Sequence, residues 1–177
     1  MTASLPTRPE ATEYPSFYAG YVASVRDGDI CEIVREAKEE LAATLGGIPE
    51  SRGDYRYADG KWSIKTVIGH IIDAERIFSY RALRLARGDK TPLPGFEENS
   101  YAITARSDER TVADLVSEML DIRTSTIRLF DSFPDDAWNR SAMVSVGEVT
   151  VRALAYITVG HARHHLNVLR ERYGVGE

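Results

Sequence analysis

Cysteine, histidine and long apolar runs are scarce in this sequence. Cysteine occurs once, at Cys31, so no internal disulfide can form and the chain suits a reducing cytosol. No apolar run approaches the roughly 18 residues of a membrane helix. The first sixteen residues, MTASLPTRPEATEYPS, lack the apolar stretch of a signal peptide. A cytoplasmic location with no membrane partner is expected. The 22 Lys and Arg are outnumbered by 27 Asp and Glu, a net charge of −5 that offers no basic footprint for nucleic acid. At 177 residues the chain suits one domain with its own core. That domain is placed at residues 25–177, after a frayed arm over residues 1–24. Histidine occurs four times, and three of the four fall within GHARHHLNVL, residues 160–169; the fourth is His70.

The periodicity that is present is helical. After Asp29, apolar residues fall at Ile30, Ile33, Val34, Ala37, Leu41 and Leu45, and Gly46-Gly47 ends the run. Ser63 suits the N-cap of a second helix that Gly88 closes. Ser107 is read as opening a third, with the stripe Val112, Leu115, Val116, Met119, Ile127 and Phe130 and its limit at Pro134. Thr150 can cap a fourth that runs to Tyr173, with Gly174 after it. YPSFYAGYVASV is either a short helix or an apolar loop, and no strand pattern stands out. The fold class is therefore all-α, a four-helix bundle. The connections 88–107 and 133–149 are too long for tight helical hairpins and can cross the bundle or roof a site.

On the last helix Val151, Leu154, Ala155, Thr158, Ala162, Leu166 and Leu169 form one stripe, and His161 and His165 lie within it, one turn apart. His164 lies at its edge. A histidine on an apolar face is ordinarily a hydrogen-bonded core residue. Two stacked on one stripe need partners for four ring nitrogens, and a metal ion satisfies one on each. His70 flanks the stripe Ile64, Val67, Ile68, Ile71, Phe78, Ala82 and Leu85 of the second helix. Its level matches that of His161 and His165 if the two helices run antiparallel, which requires the 88–107 connection to cross over. A zinc-protease site is excluded, because Ala162 stands where H-E-x-x-H needs its glutamate.

KWSIKTVIGHIIDAERIFSYRALRLARGD, LPGFEENSYA and GHARHHLNVLRERYG, in that order, resemble the DinB/YfiT-like superfamily of bacterial metal-binding four-helix proteins over roughly residues 25–173. The resemblance implies an up-down-down-up bundle with a long crossover between helices 2 and 3. It implies a divalent metal, zinc or nickel, held by His70, His161 and His165, and a homodimer acting on a small-molecule substrate. It further implies transfer chemistry with a low-molecular-weight thiol such as bacillithiol or mycothiol, or metal-dependent hydrolysis.

Glu75 and Arg123 fall among apolar residues on the second and third helices. They can pair in the interior or serve a site, one as a carboxylate and the other as a cation for an anionic substrate; the pair is favoured because an unpaired buried charge is so costly. Asp73 is either a hydrogen-bond acceptor for His70 or a solvated acid. Tyr101 and Asn99 lie in a connection that could reach the metal's open face. Trp62 and Trp138, at helix boundaries, are read as core plugs. The first expectation for activity is an enzyme that transfers or conjugates an exogenous thiol, since Cys31 is far from the histidine motifs in sequence. The alternatives are a metal-dependent hydrolase and a non-catalytic, metal-stabilised dimer.

Overall fold

The computed structural model describes residues 7–145 and 147–176. Four long helices form a bundle: α2 (Ile30–Gly46), α3 (Ile64–Ala86), α5 (Val112–Asp131) and α6 (Val151–Tyr173). Two short helices accompany them, α1 (Ala19–Ala23) and α4 (Glu98–Thr104). Side-chain caps start three of the long helices where the sequence places them. The Asp29 carboxylate accepts from the Cys31 amide, the Ser63 hydroxyl from Thr66, and the Thr150 hydroxyl from Ala153. Gly174 closes α6 in the left-handed region at φ 64°.

Cross-helix pairs fix the directions. Arg163 meets Glu40 and Arg170 meets Thr44, so α2 and α6 run the same way. Arg76 meets Glu118 and Glu75 meets Arg123, with Val112 packed near Lys65 beside Gly53, so α3 and α5 are parallel to each other. Tyr173 donates to the Trp62 carbonyl at one end of the α3–α6 pair while Phe78 touches His161 further along, so those two are antiparallel. The bundle is up-down-down-up.

The structure departs from the sequence reading at its short elements. α5 begins at Val112 with Thr111 as its cap, not at Ser107, which sits in a 3-10 turn. Ser107 is instead buried against Gly69, where a Cβ would come within 2.1 Å of its hydroxyl. A two-stranded antiparallel hairpin, β1 (Ser141–Val144) and β2 (Gly147–Thr150), precedes α6. Val144 also bridges Leu93, which ties the two long connections together. Residues 11–23 are not frayed. Tyr18 and Val22 enter the core, the Thr150 hydroxyl donates to Glu13 at 2.8 Å, and Arg152 pairs with Glu13. Residues 1–6 of the expected arm lie outside the described residues. None of the described helices is long and apolar enough to cross a membrane.

The apolar interior is split in two. One cluster runs from Ile30 and Val34 through Phe78 and Phe130 to Tyr156; the other runs from Leu41 and Ile68 through Met119 to Leu166. Between them, at mid-height on α3, α5 and α6, lies a polar layer of buried side chains that includes His70, Glu75, Arg123 and His161.

Candidate metal centre

Helix α3 turns the His70 ring toward α6, where His161 and His165 stand one turn apart. His70 Nε2 lies 3.0 Å from His161 Nε2. One ring nitrogen from each of the three residues falls within 4.8 Å of the others. His70 and His161 are buried and His165 is half-buried, whereas His164 is exposed, as its place at the edge of the stripe requires. Burial drives the imidazoles toward the neutral form, holding His70 at about 4 and His165 at about 3, with neighbouring histidines adding to the effect. His161 lies well below the ordinary imidazole value for the same reasons. Near pH 7 three neutral rings therefore converge. Each has one lone pair, and only one of the two nitrogens at 3.0 Å can carry a hydrogen toward the other.

The residues fit a divalent ion. Nitrogens bound to tetrahedral zinc at about 2.0–2.1 Å stand roughly 3.4 Å apart, within the span seen here. Three neutral donors leave the ion's 2+ charge uncompensated and a coordination position open, the arrangement of catalytic rather than structural sites.

Two cavities reach the cluster from different sides. The larger, of about 510 Å³, exposes His70 and His161 between Tyr18, Tyr21, Phe78 and Phe96. The smaller, of about 260 Å³, exposes His165 beside Trp62, Asn99 and Tyr173. Aromatic edges brace the imidazoles: Tyr21 and Phe78 against His161 at 5.5 and 5.4 Å between ring centres, and Trp62 against His70 at 4.9 Å.

The other singled-out residues are distributed as follows. Glu75 and Arg123 form a buried bidentate pair, at 2.6 and 2.7 Å, and line neither cavity. Asp73 does not orient His70. It faces α4, where it lines a separate recess with Tyr101 and Ser107, and burial raises its carboxyl pKa. Tyr101 therefore lies away from the histidines, while Asn99 lies beside His165. Trp138 is a core residue, 5% exposed, but Trp62 belongs to the site wall. Cys31 is on α2, packed against the core, and burial pushes its thiol up to about 11. Sequence reasoning missed Tyr18, Tyr21, Phe78, Phe96 and Arg81 as wall residues. The aromatic density of YPSFYAGY was the available signal. Gly160 is what lets that segment close: a Cβ there would lie 2.1 Å from the Tyr21 carbonyl oxygen.

Comparison with known proteins places this arrangement. A curated Bacillus mycoides protein named "Putative metal-dependent hydrolase" is 26% identical over 168 residues, covering 90% of this chain and 95% of its own. A Geobacillus thermodenitrificans protein of the same name is 25% identical, covering 80% and 82%. Among solved structures, YfiT from Bacillus subtilis, titled a probable metal-dependent hydrolase with an unusual four-helix bundle topology, superposes with a TM-score of 0.72. The two are 16% identical, over 95% of this chain and 94% of that one. A mycothiol-dependent maleylpyruvate isomerase superposes with a TM-score of 0.68 at 12% identity, over 83% of this chain and 60% of that longer one. The family profile described as the DinB superfamily matches residues 33–169, from α2 through both histidine-bearing helices, and the chain belongs to that superfamily.

Proposed function

We propose that this protein is a metal-dependent enzyme that joins a low-molecular-weight thiol to a small organic substrate, with His70, His161 and His165 holding a divalent ion, zinc or nickel. The observation that carries this reading is the pair of cavities meeting at one histidine cluster. Two separate approaches suit two reactants. The fold shared with a mycothiol-dependent isomerase supports the choice of thiol. The chain's own sulfur is unsuited, because Cys31 lines neither cavity and its thiol is held protonated by burial.

When bound, a divalent ion supplies Lewis acidity and favours the thiolate form of a ligating thiol near neutral pH. The protein's residues do the rest. His70, His161 and His165 present neutral nitrogens and add no charge. Tyr21, Phe78 and Trp62 fix the rings and exclude water from them. Asn99, at the smaller mouth, offers an amide to a polar cosubstrate. Hydrolysis is the second reading, favoured by the names of the curated relatives.

Cobalt loading tests the proposal. Bacillithiol or mycothiol at saturating concentration is expected to produce a sulfur-to-cobalt charge-transfer band. Absence of the band with every physiological thiol, in protein shown to hold one ion per chain, moves hydrolysis ahead.

A further inference from the structure

Arg81 is buried to within 3% of full enclosure and, among the described residues, has no carboxylate within ion-pair distance. It lies on α3 beyond His70 and lines the larger cavity together with His70 and His161. One nitrogen donates to the Pro94 carbonyl at 2.8 Å, and the Tyr18 hydroxyl lies beside the group. Its guanidinium carbon is 6.0 Å from the centre of Phe78 and 5.9 Å from that of Phe96. These contacts steady the cation without neutralising it. The other deeply buried arginine, Arg123, shows the contrast, since both its Nε and Nη2 are taken by Glu75.

An enclosed guanidinium without a counter-charge is costly unless something else supplies one. Here the remaining donors border a cavity large enough for a small organic molecule. Phe78 neighbours both Arg81 and the histidines, its ring 5.4 Å from that of His161. The acids on the same cavity, Glu97 and Glu98, are exposed at its mouth, and Glu97 is engaged by the Asn99 and Ser100 amides at the start of α4. In high dielectric they oppose a ligand's charge far less than a buried arginine attracts it.

We propose that Arg81 is the carboxylate receptor of the larger cavity. The substrate is then a monocarboxylate with an apolar body, its anion forked onto Arg81, its body between Phe78, Phe96 and Tyr21, and its far end at the histidines. A guanidinium presents parallel N–H donors that match the two oxygens of a carboxylate. This assignment rests on the metal-enzyme reading for what happens at the far end, but not for the binding itself.

The test uses 3-phenylpropionate and its neutral amide as probes, titrated calorimetrically into full-length protein, metal-loaded and after chelation. The carboxylate is expected to bind at least tenfold more tightly than the amide in both states. Arg81→Met is expected to remove that preference, and Arg81→Lys, which keeps the charge but loses the fork, to retain part of it. Should Arg81→Met fail to fold, the wild-type preference and the Lys variant still decide. No preference in wild type overturns the proposal, as does an Arg81→Met protein that binds like wild type. Binding that vanishes on chelation but survives in Arg81→Met means that the carboxylate ligates the ion, which refutes the Arg81 role and leaves the metal reading standing. An Arg81-dependent preference in a protein that takes up no metal does the reverse.

Discussion

Helix α3 carries two polar devices five residues apart, and they solve burial in opposite ways. Toward α5, Glu75 meets Arg123 with two short hydrogen bonds, and opposite charges are satisfied inside the chain. Toward α6, His70 meets His161 and His165, three groups of the same kind kept neutral by burial, whose ring nitrogens converge. Complementary partners make a structural contact, although Arg123 Nη1 is left without a hydrogen-bond partner among the described residues. Like groups converging in one place suit a cation from outside. Within one polar layer between two apolar clusters, the first arrangement holds helices together and the second suits a metal ion.

The comparison can be broken from the structural side first. Glu75→Leu or Arg123→Met alone strands a buried charge and is expected to cost about 3–5 kcal/mol. The double replacement Glu75→Leu, Arg123→Met is expected to recover most of that loss in denaturant titrations. Strictly additive losses would show that the pair is not coupled. On the other side, divalent metal at a hundredfold excess over its Kd is expected to raise stability by about 2.7 kcal/mol. His70→Ala, His161→Ala and His165→Ala should each abolish that increment and stoichiometric binding, whereas His164→Ala should keep both. An increment unchanged in the His165 variant would remove that residue from the ligand set.

Gly160→Ala separates the two devices more finely. Its new methyl must push back the Tyr21 carbonyl, at an expected cost of about 1–3 kcal/mol. Metal uptake and probe binding should weaken because Tyr21 braces His161, while the effect of breaking Glu75–Arg123, measured in the Gly160 variant, should be unchanged. A further test lies on the acid side. The unfolded chain takes up protons at its histidines near pH 6.5, but folded His70 and His165 resist until about 4 and about 3. Stability of the metal-free protein is therefore fully present above pH 6.5 and falls as the pH drops from there toward 4. The slope is at most about 1.4 kcal/mol per unit for each histidine. His70→Ala should flatten it.

Much of this was legible in the sequence because long helices carry their own periodicity. The stripes of α2, α3, α5 and α6, the inward direction of His161 and His165 and the exposure of His164 all follow from position along a wheel. Matching the levels of His70 and His161 even required the crossover. Short elements were not legible in the same way. The 141–150 hairpin is anchored by Leu93, whose amide donates to the Met143 carbonyl and whose carbonyl accepts from the Ser145 amide across distant segments, which no local pattern announces. Ser107 and Thr111 are both plausible caps, and the choice between them was made by packing against Gly69. The aromatic wall came from a segment whose place depends on one missing side chain at Gly160. Nothing in the sequence marks Arg81, because its lack of an acidic partner among the described residues is a result of packing.

The up-down-down-up order has a kinetic consequence. His70 and His161 are 91 residues apart in the chain, so their meeting is a non-local event in folding. Closing a loop of that length costs about 4 kcal/mol of chain entropy beyond a constant, and α2, α3, α5 and α6 can each coil, and neighbouring helices pair, before it occurs. An ion held at the three histidines then has little to grip in the transition state. Its contribution falls on the unfolding limb, lengthening the lifetime of the folded molecule rather than hastening its arrival.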